Sequence, residues 1–277
     1  MADMKKVWDH LVGPGYEDPR VASWPLIEDI RVPIAISAAY LLMIPVGTFL
    51  MKNREPMKIK YPAMLHNLFL FVLSAYMVAE CVRACYHNFG WGKKFTPWCN
   101  ALEPVQGNKS GFSQSGQDLA NILWVHYVSK AYEFVDTLIM ILKKNNRQVT
   151  FLHVYHHATT FFPVWFAVVK YGPGGEAWFC CFLNSLVHVF MYGYYFSASV
   201  GYPFTFIKKY ITQFQMVQFL LFIAQSVYML FVTDCYRPRL SPYMLLVQCI
   251  IFFALFFNFY VKNYSKKGGK GKGKKAA

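Results

Sequence analysis

The sequence predicts an all-α polytopic membrane protein with seven transmembrane helices. The chain has 277 residues, of which 56% are hydrophobic and only 15% are charged. Uninterrupted apolar stretches recur along it, each close to the roughly 20 residues that a helix needs to cross a ~30 Å hydrocarbon core. An ordinary soluble domain of this length carries fewer apolar and more charged residues, so that class is excluded.

The apolar stretches divide the chain into three regions. The predicted spans cover residues 32–51, 64–84, 117–142, 149–169, 176–198, 212–232 and 242–262. Tyr, Trp and Phe recur near their ends, as expected for side chains at the membrane interface. We expect an N-terminal segment 1–31, a membrane domain 32–262 and a tail 263–277. The first thirty residues are too polar for a cleavable signal peptide, so the first span is expected to direct insertion.

The basic residues predict the orientation of the spans. The net charge is +14, and Lys and Arg are more numerous in connections 1–2, 3–4 and 5–6 and in the tail than on the other side. This bias predicts a lumenal N-terminus and a cytosolic C-terminus. Nucleic-acid binding, the other common reason for a basic chain, uses patches on a soluble fold, and we expect no such partner.

The chain ends Lys274-Lys275-Ala276-Ala277. This KKxx ending resembles the dilysine retrieval signal of the endoplasmic reticulum and predicts residence in that membrane. Attraction of the lysines to anionic lipid is the alternative interpretation.

Three histidines lie close together in the fourth span. His153, His156 and His157 occur in the stretch HVYHH, and the first and third share one helical face with the second beside it. Ionisable side chains at membrane depth cost several kcal/mol unless they face protein or water. A functional site is therefore favoured over three separate core histidines.

Polar stripes in neighbouring spans predict a cavity for these histidines. The third span carries Lys130, Glu133 and Thr137 on one face with Asp136 at its edge, the fifth carries Asn184, His188, Tyr192 and Tyr195, and the sixth carries Gln215 and Gln218. Hydrogen bonding between helices explains a single polar residue in a span. Stripes in consecutive spans favour a polar interior instead.

Two kinds of chemistry fit this interior. The HxxHH pattern is used by membrane di-iron desaturases and hydroxylases, but those enzymes need several such boxes, and here His188 alone accompanies one box. A mononuclear metal site remains an alternative, since three imidazoles suffice for zinc. The other possibility is nucleophilic and general-base catalysis by neutral imidazole.

In the second interpretation the remaining polar groups have definite tasks. Glu133 and Asp136 orient histidines, while Asn184 and Gln215 donate hydrogen bonds to a developing oxyanion. Basic residues at the cytosolic mouth hold phosphates or carboxylates; these are Lys143, Lys144, Arg147, Lys208 and Lys209. A transporter or channel is a further alternative, which predicts broken helices near the midplane and an inverted repeat.

Four motifs follow one another along the chain: KAYEFVDT, HVYHH, NSLVHVFMYGYY and TQFQMVQ. In this order they resemble the ELO family of fatty-acid elongases, the very-long-chain 3-oxoacyl-CoA synthases. The resemblance extends over nearly all seven spans. A lone HxxHH is a weak signal, whereas the ordered set of four is specific.

The resemblance implies a decarboxylative, Claisen-type condensation of a long-chain acyl-CoA with malonyl-CoA. The products are 3-oxoacyl-CoA, CoA and carbon dioxide, and neither a cofactor nor a metal is expected. His156 is expected to accept the acyl group as an acyl-imidazole with His188 beside it, while His153 and His157 shape the site. The remaining catalytic residues expected are Asn184, Glu133 and Asp136. The substrate-binding residues expected within the motifs are Lys130, Thr137, Tyr192, Tyr195, Gln215 and Gln218.

The resemblance also implies an architecture and partners. Six helices are expected to form a ring around a closed substrate tunnel, with the first span outside because it lacks a polar stripe. Gln148 resembles the form found in many elongases of polyunsaturated chains. Besides membrane lipid, the expected partners are the ketoreductase, dehydratase and enoyl reductase of the cycle, and a homodimer is compatible with the family.

Cys99 and Cys235 fall in connections predicted to face the oxidising lumen. The residues alone leave a disulfide and two free thiols equally open. The resemblance favours the disulfide, because relatives carry one at these places.

Overall fold

The computed structural model describes residues 21, 23–27, 29–89, 114–166, 177–232 and 239–265. These residues form helices and their connections, with no strand among them. Cys99, Cys235 and the Lys274-Lys275 ending lie outside the described residues.

Eight α-helices follow one another in the described part of the chain. They are α1 Arg31–Met51, α2 Lys60–Phe89, α3 Gln114–Tyr132, α4 Phe134–Leu142, α5 Phe151–Val164, α6 Ala177–Ser199, α7 Ile207–Phe231 and α8 Leu240–Tyr260. Helices α1, α2, α6, α7 and α8 are each long and apolar enough to cross a membrane. They coincide with five of the predicted spans, so the prediction of an all-helical, multi-pass membrane protein is confirmed.

The third predicted span is two helices rather than one. Glu133 separates α3 from α4, although its backbone stays in the right-handed helical region at φ −62° and ψ −16°. Its N–H still bonds to the carbonyl of Ser129 at 2.9 Å, whereas Asp136 bonds back to Glu133 over only three residues, at 3.1 Å. Such a tighter turn interrupts the regular α-helical ladder. The predicted span 117–142 is therefore helical where expected, but it consists of two helices that meet at Glu133.

The fourth predicted span contains α5. Thr150 is its N-cap residue, because its side chain accepts a hydrogen bond from the backbone N–H of His153 at 3.2 Å. The helix runs to Val164 and a π-helical turn continues to residue 166, where the described residues stop. The fourteen residues of α5 extend about 21 Å at 1.5 Å per residue, which is shorter than the hydrocarbon core.

The start of α1 is marked by an acidic side chain just outside the helix. The carboxylate of Asp29 accepts hydrogen bonds from the backbone N–H of Arg31 at 2.8 Å and from its Nε at 2.7 Å. These hydrogen bonds lower the pKa of Asp29 to about 2. The carboxylate therefore stays ionised where α1 begins.

The helices pack in a definite order of neighbours. The most extensive contact joins α2 to α6, and α3 contacts α2, α5 and α6. Helix α7 packs between α6 and α8, and α8 also contacts α5. Helix α1 packs against α4 and α5. Its outer face is strongly exposed, with Phe49 at 75% and Leu42 at 64%, as expected for a surface that meets lipid.

An ion cluster lies toward the end of α2. Arg83 pairs with Glu80 on the same helix at 2.7 Å and with Asp118 of α3 at 3.0 Å. Nearby, the buried thiols of Cys81 and Cys181 lie 3.2 Å apart across the contact between α2 and α6. The ion pairs thus join α2 to α3, and the thiol contact joins α2 to α6.

Close approach of α2 and α6 depends on Gly193. A Cβ atom at this position would lie 3.3 Å from the ring of Phe71, closer than ordinary van der Waals contact. We therefore expect Gly193→Leu to separate the two helices and to lower the midpoint of thermal unfolding in detergent. Overpacking of this kind costs typically ~1–3 kcal/mol.

The matched control for Gly193→Leu is Phe190→Leu, also on α6 but at a side chain that is 53% exposed. The control should leave the unfolding midpoint close to that of the unmodified protein. Equal midpoints for both variants would contradict the importance of this contact.

Candidate active site

The three histidines of α5 form one cluster. The ring centroids of His153 and His157 lie 4.5 Å apart, and those of His156 and His157 lie 5.4 Å apart. Each imidazole is half-buried. The hydroxyl of Thr160 donates to the carbonyl of His156 at 2.6 Å, one turn further along the helix. The structure thus brings together the histidines that the sequence placed on neighbouring faces.

His153 is held from α4 by Thr137. The Nε2 atom of His153 lies 2.8 Å from Thr137 Oγ1, and the Thr137 side chain is completely buried. On its other side Thr137 contacts the hydroxyl of Tyr40, on α1, at 3.1 Å. Two motifs of the chain, KAYEFVDT and HVYHH, therefore meet through this hydrogen bond.

A buried ion pair lies at the junction of α3 and α4. The ammonium of Lys130 donates to Glu133 Oε1 at 2.7 Å and to Asn184 Oδ1 at 2.8 Å. The Nδ1 atom of His188 lies 3.3 Å from the same glutamate oxygen. Both charged side chains are at most 5% exposed. The first and third motifs are joined in this way, with α6 supplying the asparagine and the histidine.

One cavity borders both groups of residues. Its volume is about 110 Å³, within a wider region of about 900 Å³ between the atoms that includes open surroundings. Its polar lining includes His156, Lys130 and Asn184, together with His126, Gln218, Gln225 and Gln248. Most of the remaining lining is apolar and comes from α5, α6, α7 and α8, including Phe219, Phe222, Met229, Leu245 and Phe252. Of the three box histidines, His156 is the one that lines this cavity.

Asp136 lies in a different hydrogen-bonded group from the box histidines. Its Oδ2 accepts from the hydroxyl of Tyr192 at 2.6 Å, and its Oδ1 lies 2.8 Å from Nε2 of His66. Both of its oxygens are thus occupied by side chains of α2 and α6.

His66 and Tyr40 were not among the predicted site residues. A lone histidine in an apolar span carries no spacing signal, and a tyrosine there resembles an ordinary packed aromatic residue. Their contacts with the motif residues become visible only when the helices are packed.

Of the remaining predicted binding residues Gln218, Gln215 and Tyr195, only Gln218 is among the described residues that line the cavity. Gln218 is buried in its wall, whereas Gln215 contacts Met191 Sδ at 3.9 Å. Tyr195 is 39% exposed and its ring packs against Tyr192.

The five predicted basic residues lie in two places next to helix ends. Lys143, Lys144 and Arg147 follow α4, whereas Lys208 and Lys209 begin α7. Lys144 donates to the backbone carbonyl of Lys52 at 3.2 Å, and the Lys208 ammonium lies 5.6 Å from the centre of the Tyr194 ring. None of the five is among the residues that line the cavity in the described part of the chain.

The structure also bears on the metal and transporter alternatives. Among the described residues, no three His, Cys, Asp or Glu side chains are arranged to hold a metal ion. The interruption at Glu133 leaves its N–H bonded within the helix, at 2.9 Å from Ser129 O. Discontinuous helices of transporters instead direct their unpaired ends toward the transported solute.

Comparison with known proteins adds a family assignment. Residues 25–272 match the model of the ELO, GNS1/SUR4 family. The rat protein named very long chain fatty acid elongase 5 is 39% identical over 269 residues, covering 96% of this chain and 85% of its own length. The human protein of that name is 36% identical over the same extent. The mouse very long chain fatty acid elongase 4 is 34% identical over 263 residues, covering 94% of this chain and 80% of its own.

The buried ion pair generates a stability prediction. We expect Lys130→Met to destabilise the fold by ~3–5 kcal/mol, because it leaves the Glu133 carboxylate buried without its partner. The double variant Lys130→Met with Glu133→Gln should recover part of this loss, since neither charge then remains unpaired. Thermal unfolding of the purified proteins in detergent measures both effects.

The Arg83–Glu80 pair provides the control, because it has the same spacing along a helix but Arg83 is 44% exposed. Arg83→Gln should cost no more than ~1 kcal/mol. A double variant less stable than Lys130→Met alone would contradict the assignment of Lys130–Glu133 as a charge-compensated pair.

Proposed function

The chain belongs to the ELO, GNS1/SUR4 family, and we propose that it catalyses the condensation step of very-long-chain fatty-acid elongation. The observation that carries this proposal is the shared border of one largely apolar cavity. An imidazole, His156, and a cationic group, Lys130 with Asn184, line the same space. We infer that the apolar part of that space receives the acyl chain, which brings the thioester carbonyl to both groups.

The first half of the reaction is an acyl transfer to His156. Its neutral imidazole attacks the thioester carbonyl, a carbon–nitrogen bond forms, and the carbon–sulfur bond breaks. The proton lost by the imidazole goes to the departing CoA thiolate. Lys130 and the amide of Asn184 stabilise negative charge on the carbonyl oxygen during this step.

The second half joins the two carbon chains. Malonyl-CoA loses carbon dioxide, and the electron pair of the broken bond forms an enolate that attacks the acyl carbonyl. The carbon–nitrogen bond to His156 then breaks, and the imidazole takes up one proton from the medium. Over a full cycle one proton is consumed, and 3-oxoacyl-CoA, CoA and carbon dioxide are released.

The surrounding polar residues support these steps. Glu133 compensates the charge of Lys130 at membrane depth. His188 is held beside the same carboxylate, next to the reacting groups. In this scheme His153 and His157 pack against the nucleophile and fix its surroundings.

The proposed architecture is a ring around a tunnel. Each helix contacts the next one in the order α2, α6, α7, α8, α5, α3, and α3 contacts α2 again. The principal neighbours of α1 are α4 and α5, which supports a place for α1 outside the ring. The basic residues after α4 and at the start of α7 then lie at the cytosolic mouth, where the CoA phosphates arrive.

Further proposals concern the cellular setting. We place the enzyme in the endoplasmic reticulum membrane with a lumenal N-terminus, supported by the KKxx ending and by the bias of basic residues. A Cys99–Cys235 disulfide would then lie in the lumen. The ketoreductase, dehydratase and enoyl reductase of the cycle use its product. Gln148 supports a preference for polyunsaturated chains.

An assay of the purified protein tests the function. With malonyl-CoA and a series of acyl-CoAs of different length and unsaturation, we expect 3-oxoacyl-CoA and CoA in equal amounts. A metal chelator should leave the rate unchanged, because His156, Lys130 and Asn184 supply the chemistry. Inactivity of well-folded protein across the series would overturn the proposed function, and loss of activity with chelator would restore the metal alternative.

The covalent step is tested separately by intact-protein mass spectrometry. Incubation with a polyunsaturated C18 acyl-CoA, without malonyl-CoA, should add the mass of one acyl group. The adduct should be absent in His156→Ala. His157→Ala is the matched control, because its ring does not line the cavity, and it should still form the adduct.

An adduct that persists in His156→Ala would assign the nucleophile elsewhere. Condensation without any adduct would indicate direct attack of the enolate on the thioester, with His156 as a base or orienting group.

A further inference from the structure

Tyr40 connects the peripheral helix to the histidine cluster. It is the single tyrosine of α1 and is only 2% exposed, although α1 carries no polar stripe and has α4 and α5 as its principal neighbours. Its ring stacks on Phe134 with centroids 4.2 Å apart, and it lies 6.1 Å from the ring of His157. The helix that looked like an outsider therefore places one polar group at the site.

A chain of two hydrogen bonds leads from Tyr40 to His153. The phenol oxygen lies 3.1 Å from Thr137 Oγ1, which in turn lies 2.8 Å from His153 Nε2. Thr137 is 0% exposed, so these contacts are not shared with bulk water. They link α1, α4 and α5 within a few ångströms of the box histidines.

The distances identify the partners in this chain, and its direction is inferred from the protons available. With one proton and two lone pairs, Thr137 serves both neighbours when it donates to one and accepts from the other. The phenol is the more acidic of the two hydroxyls, and it therefore donates to Thr137. Thr137 then donates to Nε2 of His153, which leaves the proton of the neutral imidazole on Nδ1.

We propose that Tyr40 is a positioning residue for the condensation reaction. Through Thr137 it fixes the tautomer and the ring orientation of His153, which packs on His157 and thereby on the acyl-accepting His156. Helix α1 is thus part of the catalytic unit rather than only a membrane anchor. This inference rests on the proposed function, because condensation is the reaction whose rate it controls.

Tyr40→Phe tests the inference, since it keeps the stacked ring and removes only the hydroxyl. We expect kcat for 3-oxoacyl-CoA formation to fall roughly 2- to 10-fold, the size of losing one neutral hydrogen bond. The KM values for acyl-CoA and malonyl-CoA should stay the same, because Tyr40 does not line the cavity. Thr137→Val should lower kcat similarly, and Thr137→Ser, which keeps a hydroxyl, should restore it.

The double variant Tyr40→Phe with Thr137→Val should be no slower than Thr137→Val alone. Two residues that act through one chain of hydrogen bonds give non-additive effects. Multiplied losses would mean that the two hydroxyls act independently, which would overturn the inference.

Tyr127 provides a matched control. It is also a fully buried tyrosine stacked on a phenylalanine, Phe161, with centroids 4.9 Å apart, but its hydroxyl donates to the backbone carbonyl of Leu26 at 3.1 Å. Tyr127→Phe should leave kcat within about two-fold of the unmodified protein, since the hydrogen bond it loses is equally small but goes to a backbone carbonyl and not toward His153. Equal losses of kcat in Tyr40→Phe and Tyr127→Phe would mean that Tyr40 acts only through packing, which would overturn the inference.

A spectroscopic measurement separates this inference from the proposed function. In protein labelled with ¹⁵N-histidine, His153 should show an unprotonated Nε2, and Tyr40→Phe should shift that signal. A protein that condenses acyl-CoA normally with an unchanged His153 signal in Tyr40→Phe would overturn the inference alone. A shifted signal supports the positioning role even if the reaction proves to be a different one.

Discussion

The paired charges of Lys130 and Glu133 are the constraint on which the rest of the site depends. A lone ammonium or carboxylate at membrane depth is costly, so each charge requires the other within hydrogen-bond distance. Because the lysine also binds Asn184 and the carboxylate lies beside His188, the pair determines how α6 docks against α3 and α4. The position of the cavity wall follows from this docking.

Polar residues of the interior fall into two groups with different neighbours. Lys130, Asn184 and His156 border the cavity. Asp136, His66 and Tyr192 satisfy one another between α2, α4 and α6. The first group faces the cavity, and the second joins the helices beside it. Lys130 and Asp136 come from one motif and Asn184 and Tyr192 from another, whereas His66 lies outside the motifs.

Much of the fold could be predicted from the sequence, because apolar runs of the right length report directly on membrane insertion. The interruption at Glu133 could not be predicted. Whether a backbone N–H bonds to the carbonyl three or four residues earlier does not change the pattern of apolar residues in the sequence. Within the site, helical spacing correctly grouped His153 and His157 and placed Lys130 beside Glu133. Residue spacing shows which side chains share a helical face, but not which helix packs against that face. The partners of Asp136 and the contact of Tyr40 with Thr137 could therefore not be predicted.

The length of α2 indicates where the bilayer ends. Its thirty residues extend about 45 Å, well beyond a hydrocarbon core of ~30 Å. Counted from Lys60, about 20 residues of α2 cross that thickness, which brings the helix to Glu80 and Arg83. Counted in this way, the ion cluster formed with Asp118 is expected near the level of the lipid headgroups. Tilting of α2 to match a thinner or thicker bilayer would move this cluster, and α6 packed against it, relative to the membrane surface.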